Sequence, residues 1–423
     1  MTLTAAATPH STPYSAPHST PTEAAESAAE LLVNQQIDTL LSEFDARTSD
    51  VTEFRGRQFD LGLGWVHFPE GSGGLSVSPK LQRIVDKRLR EAGARTPEHR
   101  VFFGLAMAGP TIVTHGDEAL KGRMLRPMFT GEDAWCQLFS EPGAGSDLAG
   151  LACKAVRDGD EWVITGQKVW NTLAHIADRG MLVARTDPDT PKHKGLTYFG
   201  IDMRAPGVEV RPLRQMTGEA EFNEVYLTEV RVPDADRIGD VGDGWRVSMT
   251  TLMNERTTIG GGSGPPVRGS GAIGEAVRIW REECGNKNPA AKDLLMRTWV
   301  EAEVLRLTNI RASQGRRVGN PGPEGSIAKL MFAEVNMRIY EVCVELLGAD
   351  ALIGYDFTDR RTEQLGLVGP PGSSRKMFLR SRANSIEGGT SEIQRNILGE
   401  RVLGLPGEPR LDKDLPWTQV PRS

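Results

Sequence analysis

The hydrophobic period of this chain switches twice, from helical to strand-like and back. A chain that does so must set helical layers around a separate β unit. From about residue 25 to 130 the pattern is helical: AAELLVNQQIDTLLSEF places Leu31, Leu32, Ile37, Leu40, Leu41 and Phe44 at helix-like spacing. FPEGSGGLSVSP interrupts, and PKLQRIVDKRLREAG resumes. From about 131 to 240, short β-rich runs alternate with turn signals. KAVRDGDEWVITGQKVW predicts two strands joined by an Asp158-Gly159 turn. MLVARTD, LTYFGIDM, GVEVRPL and NEVYLTEVRVP predict further strands. From about 241 to 405, GWRVSMTTLMNERTTIG, DLLMRTWVEAEVLRLTNIRASQ and SIAKLMFAEVNMRIYEVCVELLG repeat apolar residues at i, i+3, i+4 and i+7. GGGSGPP (260–266) and GNPGPEG (319–325) are breaks in this block. The expected fold class is α+β: an N-terminal helical domain, a middle β domain, a C-terminal four-helix bundle and a tail over 406–423.

Residues 1–24, rich in Ala, Ser, Thr and Pro, are expected to be disordered. They contain no apolar signal core, and no Lys or Arg precedes Arg47, which speaks against secretory and organelle targeting. The expected location is cytoplasmic. A net charge of -6 argues against nucleic-acid binding, and no apolar run approaches a membrane span. Cys136, Cys153, Cys284 and Cys343 form no C-x-x-C pair, so a metal site or disulfide framework is not expected.

Three motifs carry possible chemistry. In SEPGAGSD (140–147), glycines allow close backbone approach to a ligand, and Ser140 and Ser146 offer hydroxyls. Alone, it is an ordinary Gly-rich loop. GQKVWNT (166–172) sets Trp170 two residues before Thr172, an aromatic platform beside a hydroxyl, although a lone Trp is more often core. SIEGGTSEIQR (385–395) looks like a ligand loop whose catalytic residue has gone.

Together these motifs resemble the acyl-CoA dehydrogenase family, flavoenzymes that desaturate acyl-CoA thioesters. Glu141-Pro-Gly-Ala-Gly-Ser-Asp147, Gly166-Gln-Lys-Val-Trp-Asn-Thr172, EAEFNEVYL (219–227) and Gly389-Thr-Ser-Glu-Ile-Gln-Arg395 match the family's signatures, and the likeness covers roughly residues 30–405. The resemblance implies FAD. Gln137, Phe139, Ser140 and Ser146 would line the flavin and pyrophosphate, Trp170 would flank the ring, and Thr172 would bond its N5 edge. Thr390, Glu392, Glu345 and Gly348 would contact FAD from the bundle. Ser146, Asn254, Arg256, Gly388 and Gly389 would lie along the acyl-CoA. Arg281, in Arg-x-x-Cys-Gly where the family often has Arg-x-x-Phe-Gly, would reach a neighbouring subunit's FAD. Glu345 stands where the family has a glutamine.

The reaction needs a base for the thioester α-proton. In many members that base is the Glu of Glu-Gly-Thr; here the position is Gly388. Glu387 is one residue early, which re-aims its side chain by about 100° in a helix or to the opposite face of a strand, so replacing it is expected to change little. The isovaleryl-CoA and long-chain acyl-CoA dehydrogenases take the base from Leu-x-x-Glu-Arg instead. Leu252-Met-Asn-Glu255-Arg256 matches that pattern, and assigns the base to Glu255. A backbone N–H at Gly388 could still hold the thioester oxygen. The resemblance further implies an electron-transfer flavoprotein as acceptor and a homodimer or homotetramer. Two alternatives stand beside it: a flavin oxidase or monooxygenase of the same fold, and a non-catalytic subunit of a heteromeric enzyme.

Overall fold

Helices α1 (Glu23–Glu43), α2 (Val51–Asp60), α3 (Gln82–Ala92), α4 (Glu98–Phe103), α5 (Gly109–His115) and α6 (Glu118–Thr130) open the computed structural model. It describes residues 23–260, 267–285, 287–317, 324–353, 361–362, 373–409 and 412–421. The segment expected to be disordered lies outside these residues except for Glu23 and Ala24, which begin α1 instead. The Ala- and Glu-rich run from Glu23 consists of good helix formers, which is why the helix starts before the apolar pattern does. Its buried stripe is Val33, Ile37 and Leu40, all 0% exposed, while Leu31 faces outward.

Seven strands follow: β1 (Trp135–Leu138), β2 (Lys154–Asp158), β3 (Glu161–Lys168), β4 (Arg179–Arg185), β5 (Leu196–Asp202), β6 (Val208–Leu213) and β7 (Phe222–Pro233). They form one sheet in the order β1-β4-β2-β3-β7-β6, with β5 paired to β4. The six predicted strands are present. The four residues of β1, parallel to β4, are too short to show a strand period and were not predicted. In the β2–β3 hairpin Asp158 pairs with Glu161, so the turn is Gly159-Asp160 rather than Asp158-Gly159. Gly159 has φ 63°, and glycine takes this turn position at no steric cost.

The bundle comprises α7 (Gly244–Gly260), α8 (Ala272–Glu282), α9 (Pro289–Arg317), α10 (Glu324–Leu347), α11 (Ser374–Arg380) and α12 (Ser391–Ile397). The breaks expected at 260–266 and 319–325 lie outside the described residues, apart from Gly260, which ends α7, and Glu324 and Gly325, which open α10.

One hydrophobic core joins the first helices to the sheet and to α7, through Trp65, Met107, Ile112, Met124, Trp135, Tyr198 and Val247. Within it, Thr251 of α7 hydrogen-bonds Thr111 of α5 at 2.9 Å and Tyr198 of β5 at 3.1 Å. All three are 0% exposed, so their hydroxyls must pair with one another or with backbone. This triad fixes the rotation of α7 one turn before Glu255. After the bundle, the chain returns to the β domain. Trp417 packs over the Arg185 guanidinium, donates to the Gly150 carbonyl at 3.1 Å, and lies near Lys192, which pairs with both Asp147 and Asp412.

Gly244 begins α7 against β5. A Cβ there would sit 2.6 Å from the Thr197 nitrogen and 2.7 Å from the Leu196 carbonyl carbon. Backbone cannot yield as a flexible side chain does. Gly244→Ala is therefore expected to destabilise the protein by about 1–3 kcal/mol, read as a lowered midpoint in chemical denaturation, and to shift α7 with the residues it carries.

Candidate active site

The Gly-rich loop after β1 is held from beneath by a buried ion pair. Lys168, 0% exposed, donates to Glu141 Oε1 at 2.8 Å and to the carbonyls of Phe139 (3.0 Å) and Val183 (2.8 Å). The Glu141 carboxylate also accepts the N–H groups of Ala152 (2.6 Å) and Cys153 (2.9 Å). The lysine of one motif and the glutamate of another thus tie the two loops together rather than meeting a ligand. Lys168 reaches the interior because it continues the alternation of Trp162 and Ile164 along β3, while the register shift between Ile164 and Gly166 is taken up by an extra residue of β7. A Cβ at Gly166 would press on Cys153 at 2.7 Å. Around this support, Ser146 and Gly145 are exposed and Ser140 is half-buried. The Phe139 ring is buried in the core against Tyr198.

The second motif presents its tryptophan outward. Trp170 is 60% exposed with φ 63°, a left-handed conformation that is unusual for a bulky residue. Beside it the buried Asn171 donates to the Gln137 carbonyl at 2.8 Å, while its own Oδ1 has no partner among the described residues. Thr172 is half-buried next to it. An exposed indole, an adjacent hydroxyl, an unpaired buried carbonyl oxygen and an open Gly-rich loop together fit a flat aromatic ring system with a polar edge and an attached phosphate, as in FAD. Trp135 Nε1, Ser391 Oγ and Gln394 Oε1 are also buried without partners among the described residues.

The third motif meets α7. Gly388 has φ 63° and Gly389 φ 92°. A Cβ built at Gly388 would lie 3.9 Å from Glu255 Oε1 and 3.8 Å from Lys329 Cε. Residues separated by 133 positions are therefore brought to one point, as the pairing of an absent glutamate with a helix-borne one requires. Among the described residues no acceptor takes the Gly388 N–H. Glu387 is directed elsewhere: Arg380 donates to both its oxygens at 3.2 and 2.9 Å, and Asn384 Nδ2 donates to Oε1 at 2.7 Å. Thr390 caps α12, its hydroxyl accepting the Ile393 N–H at 3.2 Å, which leaves the hydroxyl proton to donate outward. Asn254 donates to the Thr250 carbonyl of its own helix. Arg256 lies in α7, with its side chain outside the described residues.

The remaining candidates stand at the surface. Arg281, Glu345, Gly348 and Glu392 are exposed on the bundle. Sequence reasoning did not find Lys168, Lys329 and Arg380. The first was visible in the GQK motif. The other two carry no motif: the Lys329 acceptors and the Arg380 partner Glu221 lie far along the chain, and Glu387, seven residues after Arg380, falls at no helical or strand interval that marks a pair.

Models of the acyl-CoA dehydrogenase N-terminal, middle and C-terminal domains match residues 20–132, 136–230 and 242–403. The chain belongs to the acyl-CoA dehydrogenase family. It is 38% identical over 354 residues to the acyl-CoA dehydrogenase FadE34 of Mycobacterium tuberculosis (strain ATCC 25618 / H37Rv), covering 82% of this chain but only 45% of that relative. It thus spans about half of FadE34. Acyl-CoA dehydrogenase IpdE1 of the same organism is 36% identical over 82% of this chain and 85% of its own length. Among solved structures, the Tcur3481-Tcur3483 steroid ACAD superposes with a TM-score of 0.67 at 25% identity, over 90% of this chain and 98% of that one. The family comprises flavoprotein oxidoreductases, and the expected order of helical, β and helical domains is borne out. No described helix is long and apolar enough to cross a membrane.

Breaking a buried ion pair by removing one partner costs about 3–5 kcal/mol. Lys168→Met is expected to lower stability on that scale, because it leaves the Glu141 carboxylate, 9% exposed, without its cation. The same variant should lose flavin on gel filtration, read as the ratio of visible to ultraviolet absorbance.

Proposed function

We propose that the protein catalyses FAD-dependent α,β-dehydrogenation of an acyl-CoA thioester, with Glu255 as the base for the α-proton. The observation that carries this reading is the approach of Glu255 Oε1 to 3.9 Å from where a Gly388 side chain would begin. A base on α7 then addresses the same carbon as a base on the 385–395 loop would. Bound against Trp170 and Thr172, FAD supplies the acceptor for the β-hydride. The protein's own part is positional and acid–base. Glu255 takes the α-proton. The N–H of Gly388, which has no acceptor among the described residues, would face developing negative charge on the thioester oxygen, and such a donor lowers the barrier because it needs no reorientation. Trp170 gives a flat apolar wall, and the loop 140–147 offers hydroxyl and N–H donors to phosphate and thioester. The further residues proposed for FAD are Gln137, Ser140, Ser146, Thr390, Glu392, Glu345 and Gly348; for acyl-CoA they are Ser146, Asn254, Arg256, Gly388 and Gly389.

An electron-transfer flavoprotein is the proposed acceptor. Sterol-derived acyl groups come first among thioesters to assay, since a structural relative is a steroid ACAD. A closed oligomer is supported by α9, where Met296, Val300, Val304 and Leu307 recur on one face and are each 46–53% exposed. Arg281 is then the candidate to reach FAD across an interface. A second reading, pairing with an unlike chain of the same family, is favoured by the doubly named relative Tcur3481-Tcur3483 and by FadE34, of which this chain spans about half.

The purified protein is expected to be yellow with stoichiometric FAD. Glu255→Gln should keep FAD yet slow anaerobic flavin reduction by a factor on the order of 10² or more. Glu255→Gly combined with Gly388→Glu should recover part of the rate. Recovery stays incomplete because a side chain at φ 63° costs roughly 1–2 kcal/mol. Full activity in Glu255→Gln, measured by rapid mixing, would remove the assignment.

Placing charge on the α9 stripe, as Val304→Glu with Leu307→Glu, is expected to shift the protein to monomer in sedimentation. A wild-type chain that sediments as a flavin-loaded monomer refutes the interface. Flavin retained only with a second family member present supports the unlike-chain reading.

A further inference from the structure

Glu387 is the one carboxylate of the SIEGGTSEIQR loop that the reaction above leaves without a task, and it is also the most firmly held. Arg380 grips both its oxygens, and Asn384 donates to one of them at 2.7 Å. Asn384 is held in turn by Asn336 of α10, whose Nδ2 donates to its Oδ1 at 2.8 Å. The Glu387 N–H donates to the Ala383 carbonyl at 2.9 Å. From the other side, Lys329 Nζ donates to the carbonyls of Asn384 and Gly389. The loop is thus pinned on both flanks of Gly388, while the Gly388 N–H itself finds no acceptor among the described residues. That N–H belongs to the peptide unit that begins at Glu387. Whatever fixes the Glu387 side chain and amide therefore fixes the direction in which the N–H points.

The anchor extends into the β domain. Arg380 is 5% exposed and donates through Nε to Glu221, 1% exposed, at 3.0 Å. Its guanidinium lies 5.4 Å from the Phe222 ring centroid, and Phe222 meets Trp170 edge-on at 5.9 Å. One cation so touches the wall beside Trp170 and the loop carrying Gly388. Without the charge on Glu387, Arg380 keeps Glu221 as its carboxylate among the described residues, and its two charge-assisted bonds to the loop are weakened to at most one neutral acceptor.

We propose that Glu387 is a positioning residue, whose grip by Arg380 and Asn384 aims the Gly388 N–H at the thioester oxygen. This rests on the reading of Gly388 as the oxygen's donor, and it replaces the expectation that Glu387 is dispensable. The isosteric variant Glu387→Gln keeps the shape and the Asn384 neighbour but removes the charge.

The test uses the full-length, FAD-loaded protein and two probes, acetoacetyl-CoA and free CoA, by titration calorimetry. Acetoacetyl-CoA binds as an enolate whose thioester oxygen needs the donor; free CoA has no such oxygen. Glu387→Gln is expected to weaken acetoacetyl-CoA on the order of 10-fold, less than the 10²–10³ seen in rate when an oxyanion donor is removed outright, with free CoA unchanged. The pH profile of kcat/KM should keep its shape, because the base is intact. Arg380→Lys retains the charge but not the two-pronged grip, and should show the same selective loss even where Glu387→Gln fails to fold. In the double variant the losses should not add, since the two residues act as one unit. If wild type discriminates between the probes and both single variants do so equally well, this proposal falls and the reading of Gly388 stands. Equal weakening of both probes also overturns it, by marking the pair as merely structural. If wild type binds acetoacetyl-CoA no better than CoA, the donor reading falls and takes the proposal with it.

Discussion

A guanidinium buried to 5% exposure is unfavourable unless carboxylates accompany it, and the arrangement of this protein around Arg380 follows from that constraint. Burial alone would lower its pKa; the charges and hydrogen bonds of Glu387 and Glu221 overcome that and raise it. One carboxylate comes from the β domain and the other from the loop after α11, so satisfying the arginine requires both domains to be in place. Lys376 and Glu219, a turn and a residue pair away, form a second ion pair across the same boundary. The site between the domains is therefore held by charges that are weak partners alone and strongly coupled together.

The same logic recurs in the β domain. Lys168 and Glu141 are both buried, and the pair closes with two backbone N–H groups and two carbonyls, so neither charge lacks compensation. Ligand-facing groups are distributed differently. Among the described residues Trp170, Ser146 and the Gly388 N–H make no hydrogen bond, whereas Lys168 and Glu141 behind the Gly-rich loop are paired on every side. Rigid support beneath an open surface is what pre-organised chemistry requires. The cysteines take no part in this. Burial pushes the Cys153 thiol up to about 11 and that of Cys343 up to about 12, which leaves them protonated and inert.

Much of this was legible in the sequence. The switch of period from 3.6 to 2 and back located helices and strands because Val33, Ile37 and Leu40 recur at the helical interval and the strand runs are β-branched. The nearness of Gly388 to Glu255 was anticipated because each sits in a recognisable motif. What failed to show has physical reasons. The four residues of β1 hold no period. Gly159 was placed second in its turn because Asp-Gly is a common turn pair, while the register of Asp158 with Glu161 puts it first. Lys329 and Arg380 were silent because long-range contacts leave no spacing to read: Lys329 meets the Asn384 and Gly389 carbonyls 55 and 60 residues on, and Arg380 and Glu221 are 159 residues apart. Glu387 reads in the sequence only as a displaced carboxylate; its pairing with Arg380 and Asn384 depends on how the chain folds between α11 and α12.

The return of the chain to the β domain bears on how the molecule is made. Trp417 covers Arg185 and the Gly150 carbonyl, a contact that spans 267 residues. A ribosome that has released the sheet has not yet released the residue that seals it. The β domain gains its cover over Arg185 and the Gly150 carbonyl only after the whole bundle has been translated. Contacts of such separation are slow to form and leave intermediates exposed to association. The domain that sequence texture marks as an independent middle block is completed last.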